Sequence, residues 1–141
     1  MRKAEGDRFE CEANYAVLRD MQRNNLIVPL VGDFAGDKAL RTVGDYLRAE
    51  GATVTAFYLS NVEQYLYRQD DDWRRFLLNV AALPVDSSSV FLRSVFNGSG
   101  IVLGPTGPRS ITLRASIPET LKAFGEGKIA TYYDVIGIVK P

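Results

Sequence analysis

Apolar positions along this chain follow two spacings, one helical and one extended, and the switches between them outline the elements. Cys11, Tyr15 and Leu18 recur at helical spacing, and Val17 and Met21 widen the stripe, which predicts an amphipathic helix over residues 10–24. Leu26-Ile27-Val28-Pro29-Leu30-Val31 is too short and too rich in branched residues for a helix. It reads as a strand buried on both faces, as parallel strands are. Residues 32–36 form the turn after it. A helix follows over residues 37–50, with Asp37 as N-cap, Leu40, Val43 and Leu47 on its apolar face and Gly51 at its C-terminal glycine position. Thr53 to Leu59 is the next strand, and strand, helix and strand with tight connections make a parallel βαβ unit.

Ser60 and Glu63 match a capping box, so a helix is expected straight after that strand. It carries Val62 and Leu66 and, beyond Asp70-Asp71-Asp72, also Trp73, Phe76, Leu77 and Val80. The acidic run either interrupts this helix or opens a second one, and Pro84 ends it. Further on, residues 89–96 read as a strand, 97–108 as a Gly/Pro-rich loop, 111–113 as a short strand, 118–124 as a short helix opened by Pro118, and 132–139 as a final strand. The fold class is therefore α/β, in one domain over residues 1–141. A partial Rossmann-like sheet carries a parallel βαβ unit followed by antiparallel strands.

Composition removes several functions. The 17 basic and 17 acidic residues cancel, which gives no electrostatic reason to expect nucleic acid or an anionic membrane as partner. No apolar run approaches a membrane span, the charged first ten residues do not form a secretory signal, and one cysteine fits a reducing compartment; the expected location is cytoplasmic. The chain has no histidine, so Ser-His-Asp and Cys-His catalysis and His-based zinc sites cannot be assembled from it. No metal site is expected.

The layout resembles the second half of class I S-adenosylmethionine-dependent methyltransferases, whose last two strands pair antiparallel after a parallel sheet. The stretches Leu26-Ile27-Val28-Pro29-Leu30-Val31-Gly32-Asp33-Phe34-Ala35-Gly36, Phe57-Tyr58-Leu59-Ser60-Asn61-Val62-Glu63-Gln64-Tyr65-Leu66 and Asn79-Val80-Ala81-Ala82-Leu83-Pro84 resemble an uncharacterised bacterial family. Its members are about twice this length and carry a glycine-containing first half. The resemblance implies that this chain is a C-terminal portion supplying a substrate-side wall, non-catalytic alone, with S-adenosylmethionine held only in a full-length relative. In open α/β sheets ligands lie beyond the carboxyl ends of the strands. That rule makes Asp33 and Asn61 the candidate catalytic positioning groups, with Phe34, Tyr58, Ser60 and Glu63 lining the substrate. The plainer alternative makes Asp33 a turn residue and Ser60 with Glu63 a helix cap.

Other features carry less. Gly98, Gly100, Gly104 and Gly107 lack a following helix, because Pro105 and Pro108 stand where it would form. Cys11 lies on an apolar helix face and reads as core. Asp70 to Asp72 reads as a solvated face, and Tyr132 and Tyr133 alternate across their strand. Beside the methyltransferase-like portion stand two other functions. One is an interaction module that docks a partner chain through an exposed sheet edge. The other is an unrelated small-molecule enzyme using Asp33 and Asn61. The edge at residues 26–31 implies a homodimer, or pairing with a missing N-terminal half.

Overall fold

The computed structural model describes residues 3–69, 71–96 and 110–137, with side chains from residue 11 onward. The chain divides after Val31 into two compact units. The first is the helix α1 (Lys3–Arg23) and the segment without regular structure that follows it. The helix stops because Asn25 takes a left-handed φ of 54°, which lets the Leu26 amide donate to the Met21 carbonyl at 2.8 Å. Tyr15, Val17, Leu18 and Met21 are exposed, and so is Cys11, which corrects its reading as core. Residues 26–31 are not a strand. Pro29 has no N–H to give, no described strand runs beside them, and Leu26, Val28, Leu30 and Val31 are all exposed rather than buried on two faces.

The second unit starts with a bend and the helix α2 (Ala39–Ala49). Lys38, without a side-chain cap, occupies the N-cap position predicted for Asp37. Gly51 at φ 65° ends α2 as expected, with the Ala52 amide donating to the Leu47 carbonyl. Next come β1 (Ala56–Ser60), a single turn of helix α3 (Glu63–Leu66) and α4 (Asp72–Ala81). Asp71 at φ 62° separates the two helices, so the acidic run opens a second helix. The strand β2 (Val90–Phe96), the strand β3 (Ser110–Ser116), the helix α5 (Ile117–Gly125) and the helix α6 (Tyr132–Gly137) complete the described elements. The loop predicted at 97–108 lies outside the described residues.

The sheet order is β1-β2-β3, with β1 parallel to β2 and β2 antiparallel to β3. The parallel βαβ unit is thus β1-α3-α4-β2, not the unit expected from 26–31 through α2 to β1. Phe57, Leu59, Phe91 and Ala115 point from the sheet into one core with Leu40 of α2, Phe76, Leu77 and Val80 of α4, Ile117 of α5 and Val135 of α6. Tyr58, Phe96, Thr112 and Arg114, which alternate to the opposite face, are exposed. The final strand predicted at 132–139 is instead the helix α6 over its described part. Asp134 Oδ2 accepts from the amides of Ala130 and Thr131 at 3.0 and 2.7 Å, closing a capping box with Thr131 that favours a helical turn. Tyr132 and Tyr133 therefore do not alternate across a strand.

Candidate functional site

The chain leaves β1 through a distorted end. The pairing register slips between Tyr58 and Ser60, and Ser60 itself holds φ 50°, a left-handed conformation uncommon for a residue with a Cβ. This turn aims the Glu63 side chain at the centre of β2. Glu63 makes no capping hydrogen bond, which corrects the capping-box reading with Ser60; Val62 holds the N-cap position. Glu63 Oε2 instead accepts from Arg93 Nε at 2.7 Å, and the two residues are 3% and 1% exposed. The Arg93 guanidinium lies over the Phe91 ring, 4.5 Å from its centroid.

This pair is only partly satisfied. Arg93 Nη1 and Nη2 and the Tyr67 hydroxyl are buried, with no hydrogen-bond partner among the described residues. Around them stands an aromatic wall. Tyr67 stacks on Trp73 at 5.2 Å, Trp73 meets Phe124 edge-on, and Tyr132 lies 6.0 Å from Tyr67. Gln64 Nε2 donates to the Tyr132 hydroxyl at 3.3 Å, linking α3 to α6. Burial pushes the Glu63 carboxyl above its ordinary range against the opposing pull of Arg93. Burial, reinforced by the Glu63 charge, likewise raises the Tyr67 phenol, and burial raises that of Tyr132.

The other predicted site residues occupy different surroundings. Asp33 Oδ1 accepts from the Ala35 amide at 2.9 Å, a turn contact. Phe34 packs edge-on against Phe57 at 5.7 Å on the core face. Asn79, buried on α4, pins this turn by donating to the carbonyls of Phe34 and Gly36 at 3.0 and 2.8 Å while accepting from Arg41 Nε. Tyr58 follows Phe57 in the strand and so stands on the open face, where hydroxyls of Ser94 and Ser60 hold its phenol below the ordinary value. The Asn61 carbonyl accepts from the Gln64 amide. Tyr58 and Ser60 thus share one face at the carboxyl end of β1, while Phe34 belongs to the other. Arg93 and Tyr67 were not among the predicted residues. The signal for Arg93 was available, a single cation inside the apolar run Val90 to Phe96.

A family model described as a domain of unknown function, DUF7790, matches residues 2–120. The chain belongs to the DUF7790 family. No curated protein matches it. The matched part of the DUF7790 domain contains the whole described sheet, the Glu63–Arg93 pair and Tyr67, and stops short of Tyr132. No described helix of the domain is long and apolar enough to cross a membrane. No group of three or more His, Cys, Asp or Glu side chains arranged to hold a metal ion occurs among the described residues.

Proposed function

We propose that the DUF7790 domain is an interaction module whose open β1 edge takes up a further strand, and that this strand is residues 26–31 of a second copy. The observation that carries the reading is the state of β1. The Val90 amide donates to the Thr55 carbonyl, so by the alternation of a parallel ladder the polar groups of Ala56 and Tyr58 face away from β2. Beside that edge, which no described strand covers, lies a groove of about 380 Å³ lined by Leu40, Val43, Leu47, Val54, Phe57 and Leu83 together with the backbone of residues 53–56. An unpaired edge beside apolar side chains is a template for strand addition. The segment Leu26 to Val31 has the matching chemistry: apolar, uncharged, exposed and outside any helix or strand. Sedimentation equilibrium on the full chain tests the idea. A concentration-dependent dimer is expected, and Ala56→Lys, which sets a charge on the edge at an exposed position, should return it to monomer. A wild-type chain that stays monomeric to high concentration, or a dimer indifferent to Ala56→Lys, overturns the reading.

A second reading rests on the strand arrangement. Parallel β1-β2 followed by antiparallel β3 is the order that the methyltransferase resemblance implies, with Tyr58 and Ser60 at the carboxyl end of β1 and Glu63 just beyond it. In this reading the domain is the C-terminal portion of a methyltransferase-like protein, a substrate-side wall for a small molecule, completed by an N-terminal half that binds S-adenosylmethionine. Thermal denaturation separates the possibilities. Saturating cofactor should leave the melting temperature of this chain unchanged and raise that of a full-length relative by several degrees, about 2.7 kcal/mol at 100 times the dissociation constant. No rise in the full-length protein removes methyl transfer.

A further inference from the structure

We infer that the Arg93 guanidinium anchors a binding site for a small carboxylate, with the Tyr67 hydroxyl as an additional donor. Glu63 engages only Nε, leaving the two terminal nitrogens of a fully buried arginine without acceptors among the described residues. Those nitrogens form the flat end of the guanidinium fork, whose two parallel N–H groups match the two oxygens of a carboxylate. The Tyr67 hydroxyl, buried and equally without a partner, adds a third donor, and both Arg93 and Glu63 act electrostatically on it. Native interiors rarely leave such groups unpaired, because each orphaned donor is costly. Three in one cluster therefore mark a place made for an acceptor. Gln64, Tyr67 and Tyr132 are half-buried, and Gln64 Nε2 donates to the Tyr132 hydroxyl at 3.3 Å. This assignment stands on observations separate from the β1 edge.

Charge sets the character of the ligand. Arg93 already faces one carboxylate, so an arriving anion brings a second negative charge into a buried site. Among the described residues, besides Arg93 on β2, the groups facing Glu63 are Tyr67, the C-cap of α3, and Tyr132 on α6, with Asp134 of α6 facing Tyr67. None of these supplies a further cation. The Glu63 carboxyl, raised by burial, takes up a proton as the ligand enters, so affinity for a carboxylate rises as pH falls.

The test titrates the full chain with sodium acetate against sodium chloride at constant ionic strength, following the Arg93 Nε–H resonance and the melting temperature. Acetate should produce saturable changes in both, stronger at lower pH, and chloride should not. Arg93→Lys, which keeps the charge and loses the fork, should weaken acetate binding by about tenfold or more. Tyr67→Phe, a milder change that keeps the ring stack, should weaken it several-fold, which keeps the test open if Arg93→Lys does not fold. Equal responses to acetate and chloride, acetate binding unaffected by Tyr67→Phe, or a high-resolution structure in acetate with only water on the two terminal nitrogens would overturn the assignment.

Discussion

Arg93 Nε donates to Glu63 Oε2 across 2.7 Å, tying the centre of β2 to the single turn of α3 where both side chains are buried. A pair of this kind costs a great deal to break from one side. Arg93→Met leaves a buried carboxyl facing no cation and should lower stability by about 3–5 kcal/mol near neutral pH. The double change Glu63→Leu with Arg93→Met removes both charges and should recover most of that loss. Denaturant unfolding of the wild type and the two variants measures it.

The same pair predicts a pH dependence. Burial raises the folded-state pKa of Glu63 above its unfolded value, so the folded chain binds the extra proton. Stability from this group is fully present below the unfolded carboxylate range, about pH 4.5, and is lost as pH rises through the raised value. Without Arg93 the folded pKa climbs further. The deficit of Arg93→Met should therefore widen as pH rises through the raised wild-type value and narrow on acidification below it. Unfolding midpoints measured in parallel across that range check the sign.

Asn79→Asp is nearly isosteric and should still be damaging. The Asn79 amide donates to the Phe34 and Gly36 carbonyls, and a carboxylate can donate to neither. About 1–3 kcal/mol is expected for each carbonyl left unpaired in a buried place. Partial retention of the Arg41 contact will offset some of it. Thermal unfolding and the proteolytic sensitivity of residues 32–38 report the change.

On α2, Leu40 is 7% exposed within the core, whereas Leu47 is half-buried and lines the groove beside β1. Leu40→Ala should cost about 2–5 kcal/mol, and Leu47→Ala clearly less, near 1 kcal/mol. Equal losses would mean that the groove is filled in solution.

Gly44→Ala opposes helix propensity to packing. Alanine is favoured in a helix by about 1 kcal/mol. A Cβ at Gly44, however, would stand 2.8 Å from the Ala82 carbonyl oxygen, part of the backbone that ends α4 and the acceptor of an Arg48 hydrogen bond. The clash, worth about 1–3 kcal/mol, should win, and the melting temperature should fall.

Three of the stretches that match the Ser/Thr-x-x-acid signal of a helix start show what the sequence could reveal. Ser116 and Glu119 open α5, the Ser116 hydroxyl accepting from the Glu119 amide at 3.3 Å, and Thr131 and Asp134 open α6. Both are exposed or half-buried, where local hydrogen bonding decides the outcome. Ser60 and Glu63 match equally well, yet Glu63 is turned inward to an arginine thirty residues away, a partner that no local pattern reveals. Periodicity located α2, the core face with Leu40, the strand over Val90 to Phe96 and the middle of β3, read as residues 111–113 where the strand runs Ser110–Ser116. It misplaced the parallel pairing, because strand-like composition in residues 26–31 says nothing about whether a neighbour exists to bond them. Of the candidate site only Glu63 was singled out from the sequence, through the rule for carboxyl ends of strands, whereas Tyr58 stands on the open face of the sheet. Arg93 and Tyr67 enter it only through tertiary contact.

The central place of β2 has a kinetic meaning. Among the described strands it alone is hydrogen-bonded on both sides, by β1 through Val90–Arg93 and by β3 along its whole length. Its amides can exchange with solvent only when the sheet itself opens, so deuterium should enter Phe91 to Val95 last, at a rate set by global unfolding. The outward amides of Ala56 and Tyr58 need no such opening and should exchange early. A strand added at that edge would register there first, as newly acquired protection in peptides from β1.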